Sequence, residues 1–267
     1  MTKPAPPRRA IVHKTKTIFG VAMTKTILIT GGSRGIGRAT AVLFARKGWN
    51  VAISFVGNQE SADQTCAMCE RAGFTGNAFA RKCDVRDENS VADFFAAAHE
   101  RFGPLDGVVN NAGIVAPKSS LADMDIDRMK AVFDTNVLGA YLVAREAARM
   151  LSSGGALVNV SSVAAKLGSP DEYVDYAGSK GAVDTLTIGL AKELGPKGIR
   201  VNAVRPGIID TEIHASVGRP ERVKELGQAC ALGRAGAADE VAQSIYWLIS
   251  DDASYVTGSI LDVSGGR

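Results

Sequence analysis

Cysteine, histidine and aromatic residues are scarce in this sequence, and long apolar runs are missing. Four cysteines in 267 residues, Cys66, Cys69, Cys83 and Cys230, are too few to staple a fold, so a disulfide-framed scaffold is excluded. Cys66 and Cys69 have C-x-x-C spacing but fall in the middle of the helix-length segment "ESADQTCAMCERAG". A redox pair instead opens a helix, where the dipole lowers the thiol pKa. No second pair is spaced to complete a zinc site. The three histidines, His13, His99 and His214, have no ligand spacing, so no metal is expected. Aromatics make up 6% of the chain, charged residues 22%, and the net charge is +3. That balance, with no basic run interleaved with aromatics, leaves no footprint for nucleic acid. No apolar run reaches the roughly 18 residues that span a bilayer, so no membrane association is expected.

The first 22 residues, "MTKPAPPRRAIVHKTKTIFGVA", contain no acid and lack the apolar core of a secretory signal. Basic and acid-free is the signature of a transit peptide. The plainer reading is an extended or misassigned start, because Met23 directly precedes the first strand in "MTKTILITGG". Residues 1–22 are therefore expected to be a poorly ordered extension. Residues 23–267 are expected to form one catalytic domain, and the protein is expected to be cytoplasmic.

What the chain does have is a core, at 46% hydrophobic, and a strict rhythm. Short apolar runs, "TILIT", "NVAISF", "NAFARK", "LDGVVN", "GALVNV", "GIRVNAV" and "SILDV", read as buried strands. Between them lie helix-length segments such as "GIGRATAVLFARKG" and "ENSVADFFAAAHERFG", and a long stretch from Asp123 to Leu151. Several end at glycine. Alternation of this kind implies parallel strands with right-handed crossovers. The expected fold is α/β: a single-domain, Rossmann-like doubly wound sheet of about seven parallel strands, with helices on both faces. One connection breaks the rhythm. Residues 206–236 are long for a compact domain and leave the carboxyl end of the sixth strand, where they can act as a substrate lid.

Three motifs carry chemistry. "TILITGGSRGIGRAT" puts Gly31, Gly35 and Gly37 between the first strand and a helix. Small residues there let the backbone approach a pyrophosphate, and the helix start offers free N–H groups. The second strand ends in Ser54 and Phe55 with no acid before Glu60, whereas an NAD-preferring site usually has an acid there for the ribose 2′-hydroxyl. Arg34 sits in the glycine turn instead, and a guanidinium can grip a 2′-phosphate. Ser54 and Asn58 can add hydrogen bonds. In "DEYVDYAGSKGAVDTL", Lys180 lies four residues after Tyr176, on the same helical face, whereas Tyr173 has no such partner. An ammonium favours the phenolate of a tyrosine whose pKa is otherwise about 10.

TGGSRGIG, NNAG at 110–113, Asn136, a serine after the fifth strand, Tyr176-x-x-x-Lys180 and Pro206-Gly207 together resemble the short-chain dehydrogenase/reductase (SDR) family. The match runs from about residue 24 to 266 and is nearest the 3-oxoacyl-carrier-protein reductase and glucose dehydrogenase branch. The resemblance implies a catalytic set of Asn136, Ser162, Tyr176 and Lys180. Of the serine pair, Ser162 aligns with the active position; it precedes Tyr176 by one residue more than is usual, which suggests an insertion around "GSPDE". A nicotinamide dinucleotide would contact Gly31, Ser33, Arg34, Gly35, Ile36 and Gly37, then Ser54 and Asn58. Asp84 and Val85 would lie near the adenine, and Asn110, Ala112 and Gly113 would form the next wall. Tyr176, Lys180, Pro206, Gly207, Ile209 and Thr211 would complete the site. NADP(H) is the expected cofactor, with NAD(H) the alternative. The expected partners are a small carbonyl or alcohol substrate and, as a homotetramer, further copies of the chain. Ile114, Lys166, Leu167 and Tyr173 in the cleft, with His214, Arg219 and Arg222 on the lid, suit a 3-oxoacyl thioester, a sugar or a small ketone. A sugar dehydrogenase and a non-catalytic dinucleotide sensor are the alternative functions.

Overall fold

The seven apolar runs form one parallel sheet in the computed structural model, which describes residues 17–18, 21–22, 24–72, 77–212 and 222–267. The strands are β1 (Thr26–Ile29), β2 (Asn50–Phe55), β3 (Ala78–Lys82), β4 (Leu105–Asn110), β5 (Leu151–Val160), β6 (Arg200–Pro206) and β7 (Ile260–Val263). Their order across the sheet is β7-β6-β5-β4-β1-β2-β3. The chain winds outward from β1 to β3, then returns to lay β4 against the other side of β1. That reversal opens a crevice at the carboxyl ends of the strands.

The apolar runs are unbroken because both faces of the sheet are covered. Ile27, Ile29, Val51, Ile53, Val109 and Val158 point into one core layer, with Phe44, Trp49, Ile245 and Leu248. The alternate residues Leu28, Ala52, Val108 and Leu157 point into the other, with Phe94, Phe95, Val143 and Leu194. Strand period two divides each run between the layers. The first layer is capped by α1 (Gly35–Arg46), α2 (Gln59–Ala72) and a C-terminal helix, Ala238–Ile249. Phe44 of α1 meets Trp49 and Tyr246 edge-on, at 5.0 and 5.2 Å. The second layer is capped by α3 (Glu88–Phe102), α5 (Gly139–Met150) and α7 (Val174–Leu194).

The stretch from Asp123 to Leu151 is not one helix. It runs from α4 (Ile126–Phe133) through a π turn (Asp134–Leu138) into α5, and β5 then begins at Leu151, earlier than its apolar run. The short α6 (Ala164–Leu167) and α8 (Arg222–Gly227) complete the series, with the C-terminal helix as α9. The expected lid is pinned at its two ends, where Ile209–Asp210 pairs in parallel with Gly236–Ala237. Residues 213–221, including His214 and Arg219, lie outside the described residues. Of the expected extension, only Thr17–Ile18 and Val21–Ala22 are described, as a short antiparallel pair. No helix among the described residues is long and apolar enough to cross a membrane.

Candidate active site

A cavity of about 560 Å³ opens at the carboxyl ends of the strands. Its first wall is the glycine turn between β1 and α1. Gly31 (φ +66°) and Gly35 (φ +53°) adopt the left-handed conformation, and a Cβ on Gly37 would overlap the Gly31 carbonyl oxygen. Helix α1 starts without a side-chain cap and without an acid in its first turn. Its free N–H groups therefore face the cavity, with Ser33, Arg34, Gly35 and Ile36 on the wall. Gly37 lies beneath them, packed on the turn.

Two residues missed by the sequence reading hold this turn. Asn111 donates from Nδ2 to the carbonyls of Thr30 (2.8 Å) and Gly31 (3.1 Å). Arg38 donates to the Ser33 carbonyl, to Thr65 Oγ1 (3.0 Å) and to Ser61 Oγ (2.8 Å), clamping the turn to α2. Both contacts join segments distant in sequence, and no local pattern announces them.

At the β2 end, Arg34 is exposed on the wall beside Phe55, Val56, Gly57 and Asn58. Asn58 accepts from Ser61 N at 2.9 Å through Oδ1, which caps α2. Ser54 lines the cavity; its hydroxyl is almost fully buried and accepts from Gly31 N at 3.3 Å, so it also braces the turn. Asp84 and Val85 follow β3. The Asp84 carboxylate is taken by Arg86 at 2.6 Å and held below the usual carboxylate range by that contact, and Cys83 lines the cavity in its place. Val85 packs where a Cβ on Gly139 would come within 2.7 Å. Asn110 is also off the wall: its amide donates to Ala140 O (2.9 Å) and Asn159 Oδ1 (3.0 Å), a buried tie between strands and helix. Ala112 and Gly113 do line the cavity.

The centre of the cavity holds Ser162, Tyr176 and Lys180. The Ser162 hydroxyl lies close enough to the Tyr176 phenol to influence its pKa, and Lys180 Nζ sits 5.7 Å from the Tyr176 ring centre. Lys180 Nζ donates to the Val160 carbonyl at 2.9 Å. Ser161 Oγ instead donates to the Lys180 carbonyl at 3.2 Å, so the two serines divide the tasks. Burial pushes the Tyr176 phenol above its ordinary pKa, with the Ser162 hydroxyl pulling it back. Burial also pushes Lys180 down to about 8, against the pull of Asp184. Desolvation is thus the larger influence of the protein's own groups on the phenol.

Asn136 lies in the π turn, buried behind the wall. Its Nδ2 donates to Ile114 O (2.9 Å) and Ser179 Oγ (3.1 Å), and its Oδ1 accepts from Ile114 N (2.8 Å). A Cβ on Gly113 would lie 3.2 Å from Asn136 Oδ1 and 3.3 Å from Lys180 Nζ, so all three meet at one point. Tyr173 is buried on the wall at the start of α7. Before it, Gly168, Ser169 and Asp171 all have positive φ, an irregular loop where the sequence suggests an insertion.

The far wall comprises Pro206, Gly207, Ile208, Ile209, Thr211 and Glu212 after β6, and Arg267 after β7. Ile114 and Leu167 expose apolar surface to the same space, 37% and 49% open. Lys166, expected in the cleft, is instead paired with Asp262 at 2.8 Å. Arg267 was missed because only the close of the sheet brings the end of the sequence back to the crevice.

A family model described as enoyl-(acyl carrier protein) reductase matches residues 31–267. The oxidoreductase YgfF of Escherichia coli (strain K12) is 50% identical over 245 residues, 90% of this chain and 98% of that protein. The L-rhamnose 1-dehydrogenase (NAD(P)(+)) of Sphingomonas sp. (strain SKA58) is 40% identical over 247 residues, 91% of this chain and 95% of that protein. The crystal structure of levodione reductase superposes with a TM-score of 0.86 at 33% identity, covering 91% of this chain and 98% of the other. On the family match and the near-complete coverage of these relatives, the chain belongs to the short-chain dehydrogenase/reductase family.

Proposed function

We propose that this protein transfers hydride between NADP(H) and a carbonyl or secondary alcohol, with Tyr176 as the acid/base. The observation that carries this reading is the convergence of Ser162, Tyr176 and Lys180 on one cavity, with Lys180 Nζ 5.7 Å from the Tyr176 ring, beside an uncapped, acid-free helix start. The residues present fit a nicotinamide dinucleotide. The start of α1 at Gly35 has no side-chain cap, Arg34 and the Asn58 amide stand at one end, and Lys180 and Gly113 stand near the other. Arg34, with no acid after β2, supports NADP(H) over NAD(H). The nicotinamide would supply or accept the hydride.

The chain's own groups handle the proton. Ser162 and Tyr176 both donate to the carbonyl oxygen, which fixes its position and stabilises charge developing on it. The raised pKa keeps Tyr176 a neutral phenol, the form that gives a proton in reduction. Lys180, fixed by the Val160 carbonyl, supplies positive charge to the phenolate left behind. Asn136 ties Ile114 to Ser179 on α7 and so acts as a positioning residue. Residues 206–236 are the proposed substrate lid: Ile208, Ile209 and Thr211 line the cavity, and Ile209–Asp210 pairs with Gly236–Ala237.

A second reading, oxidation of a sugar at its anomeric carbon, is favoured by the 40% identity to a rhamnose dehydrogenase. A non-catalytic sensor is disfavoured because Asn136, Ser162, Tyr176 and Lys180 all remain. The test is a turnover screen of NADPH and NADH against carbonyls, and of NADP⁺ and NAD⁺ against alcohols and sugars. Turnover with NADPH or NADP⁺ in preference is expected. A cofactor that binds without turnover on any panel member would overturn the enzyme reading.

A further inference from the structure

We propose that Arg267 selects the substrate, and that the substrate carries an anionic group, carboxylate or phosphate, away from the reacting carbon. This rests on the oxidoreductase reading above.

Among the described residues, four charged ones line the cavity: Arg34, Lys180, Glu212 and Arg267. Three have a place on the dinucleotide side. Arg34 is in the glycine turn. Lys180 is buried beneath Tyr176. Glu212 lies over the start of α1, its Oε2 3.7 Å from where a Cβ on Gly35 would be. Arg267 comes from the opposite flank. It follows β7, which lies beyond β6 and β5, whereas the glycine turn lies between β1 and β2. The serine and tyrosine that would receive the carbonyl stand between these flanks, so Arg267 faces the side that the cofactor leaves open.

The segment that presents it is built, not frayed. Gly265 (φ +64°) and Gly266 (φ +83°) turn the chain, and a Cβ on Gly266 would come within 2.6 Å of Ala231 Cβ. Leu232 N donates to the Gly265 carbonyl at 3.0 Å. Ser264 packs on the loop after β6, its Cα 2.8 Å from where a Cβ on Gly207 would be. The guanidinium makes no hydrogen bond or ion pair with any described residue. Ile208 and Leu167, which follow β6 and β5 on this side of the sheet, also line the cavity and are apolar. A guanidinium with no carboxylate partner among the described residues can take a carboxylate or phosphate with two parallel hydrogen bonds. A neutral polyol would leave the guanidinium's charge uncompensated.

The test compares substrates that share a skeleton. In oxidation with NADP⁺ the probes are glucose, glucuronate and glucose 6-phosphate; in reduction with NADPH they are 3-oxobutanoate and its methyl ester. The anionic member should have the higher kcat/KM, by about tenfold or more, as for one charge-assisted contact. Glucuronate against glucose 6-phosphate separates carboxylate from phosphate. Arg267→Gln should collapse the anionic-to-neutral ratio, chiefly through KM, and Arg267→Lys should restore part of it. Equal use of charged and neutral members by the wild type, or an unchanged ratio in Arg267→Gln, overturns the proposal. A binding arm needs no turnover. Calorimetric titration of the NADP⁺-saturated protein with malonate and with inorganic phosphate should give binding to the wild type that Arg267→Gln loses, and no binding by either anion overturns the proposal. Failure of NADP⁺ itself to bind would instead count against the oxidoreductase reading.

Discussion

Tyr173 and Tyr176 stand one helical turn apart, both on the cavity wall, and only Tyr176 has an ammonium behind it. Tyr176→Phe is therefore expected to abolish turnover while cofactor binding persists, and Tyr173→Phe is expected to leave turnover measurable. Near-normal rates for Tyr176→Phe would reverse the assignment. Lys180 gives the pH dependence. With its pKa near 8, it is charged below that pH and neutral above it, so kcat/KM should fall on the basic side with an apparent pKa close to 8. Asp184, one turn further along α7, opposes the effect of burial. Asp184→Asn removes that opposition and should move the basic limb to lower pH; a pH–rate profile that stays put would mean the carboxylate does not govern the lysine. For Arg34, the expected result of Arg34→Ala is a smaller NADP(H)-over-NAD(H) preference, by on the order of 1–3 kcal/mol for a lost charged hydrogen-bonding partner. Equal wild-type affinity for the two cofactors, measured by fluorescence titration, would remove the basis of that prediction.

Helix α7 is held in register by its neighbours as much as by its own sequence. Arg128 of α4 is paired with Asp175 at 3.0 Å, both side chains buried, and Asp175 Oδ1 also accepts from Tyr176 N at 2.8 Å. The same guanidinium donates to the Pro117 carbonyl in the loop after β4. Removing one partner of a buried pair leaves an uncompensated charge, at a cost of about 3–5 kcal/mol. Arg128→Met should show a loss of that order in urea unfolding, and the double variant Arg128→Met/Asp175→Leu should lose less than the single. A double variant as unstable as the sum of two singles would mean the pair is not coupled. Such ties explain what sequence reading reached and where it stopped. The strands were legible because both sheet faces are covered, the glycine turn because its left-handed residues must be small, and Tyr176 with Lys180 because helical spacing is local. Cys83, not singled out from the sequence, lines the cavity beside Asp84, whose carboxylate pairs with Arg86. Arg38, Asn111 and Arg267 act across long sequence separations that only the closed sheet creates. Ser54 has the right residue type at the right strand end, but its hydroxyl is already engaged by Gly31 N.

At the scale of the molecule, the sheet ends at β7. Among the described residues β7 has a parallel neighbour on one side only, and Leu261 on it is 37% exposed. In the adjoining helix α9, Ile245, Leu248 and Ile249 pack in the chain's own core, while Trp247 (41% exposed) and, in the following loop, Tyr255 (103%) leave apolar surface outside. Open apolar edges are normally covered or paired. A two-fold axis beside β7 would set that strand antiparallel to its copy and bring the Trp247 and Tyr255 surfaces of two chains against each other. A dimer through β7 and α9 would be the first half of the proposed homotetramer, and charge placed there should break it. Light scattering of the wild type at micromolar concentration should give a mass at least twice the 27.9 kDa of one chain. Trp247→Glu/Tyr255→Glu should lower that mass while circular dichroism stays native. A wild-type mass near 27.9 kDa would exclude assembly altogether, and a double variant that keeps the wild-type mass would move the interface to another face.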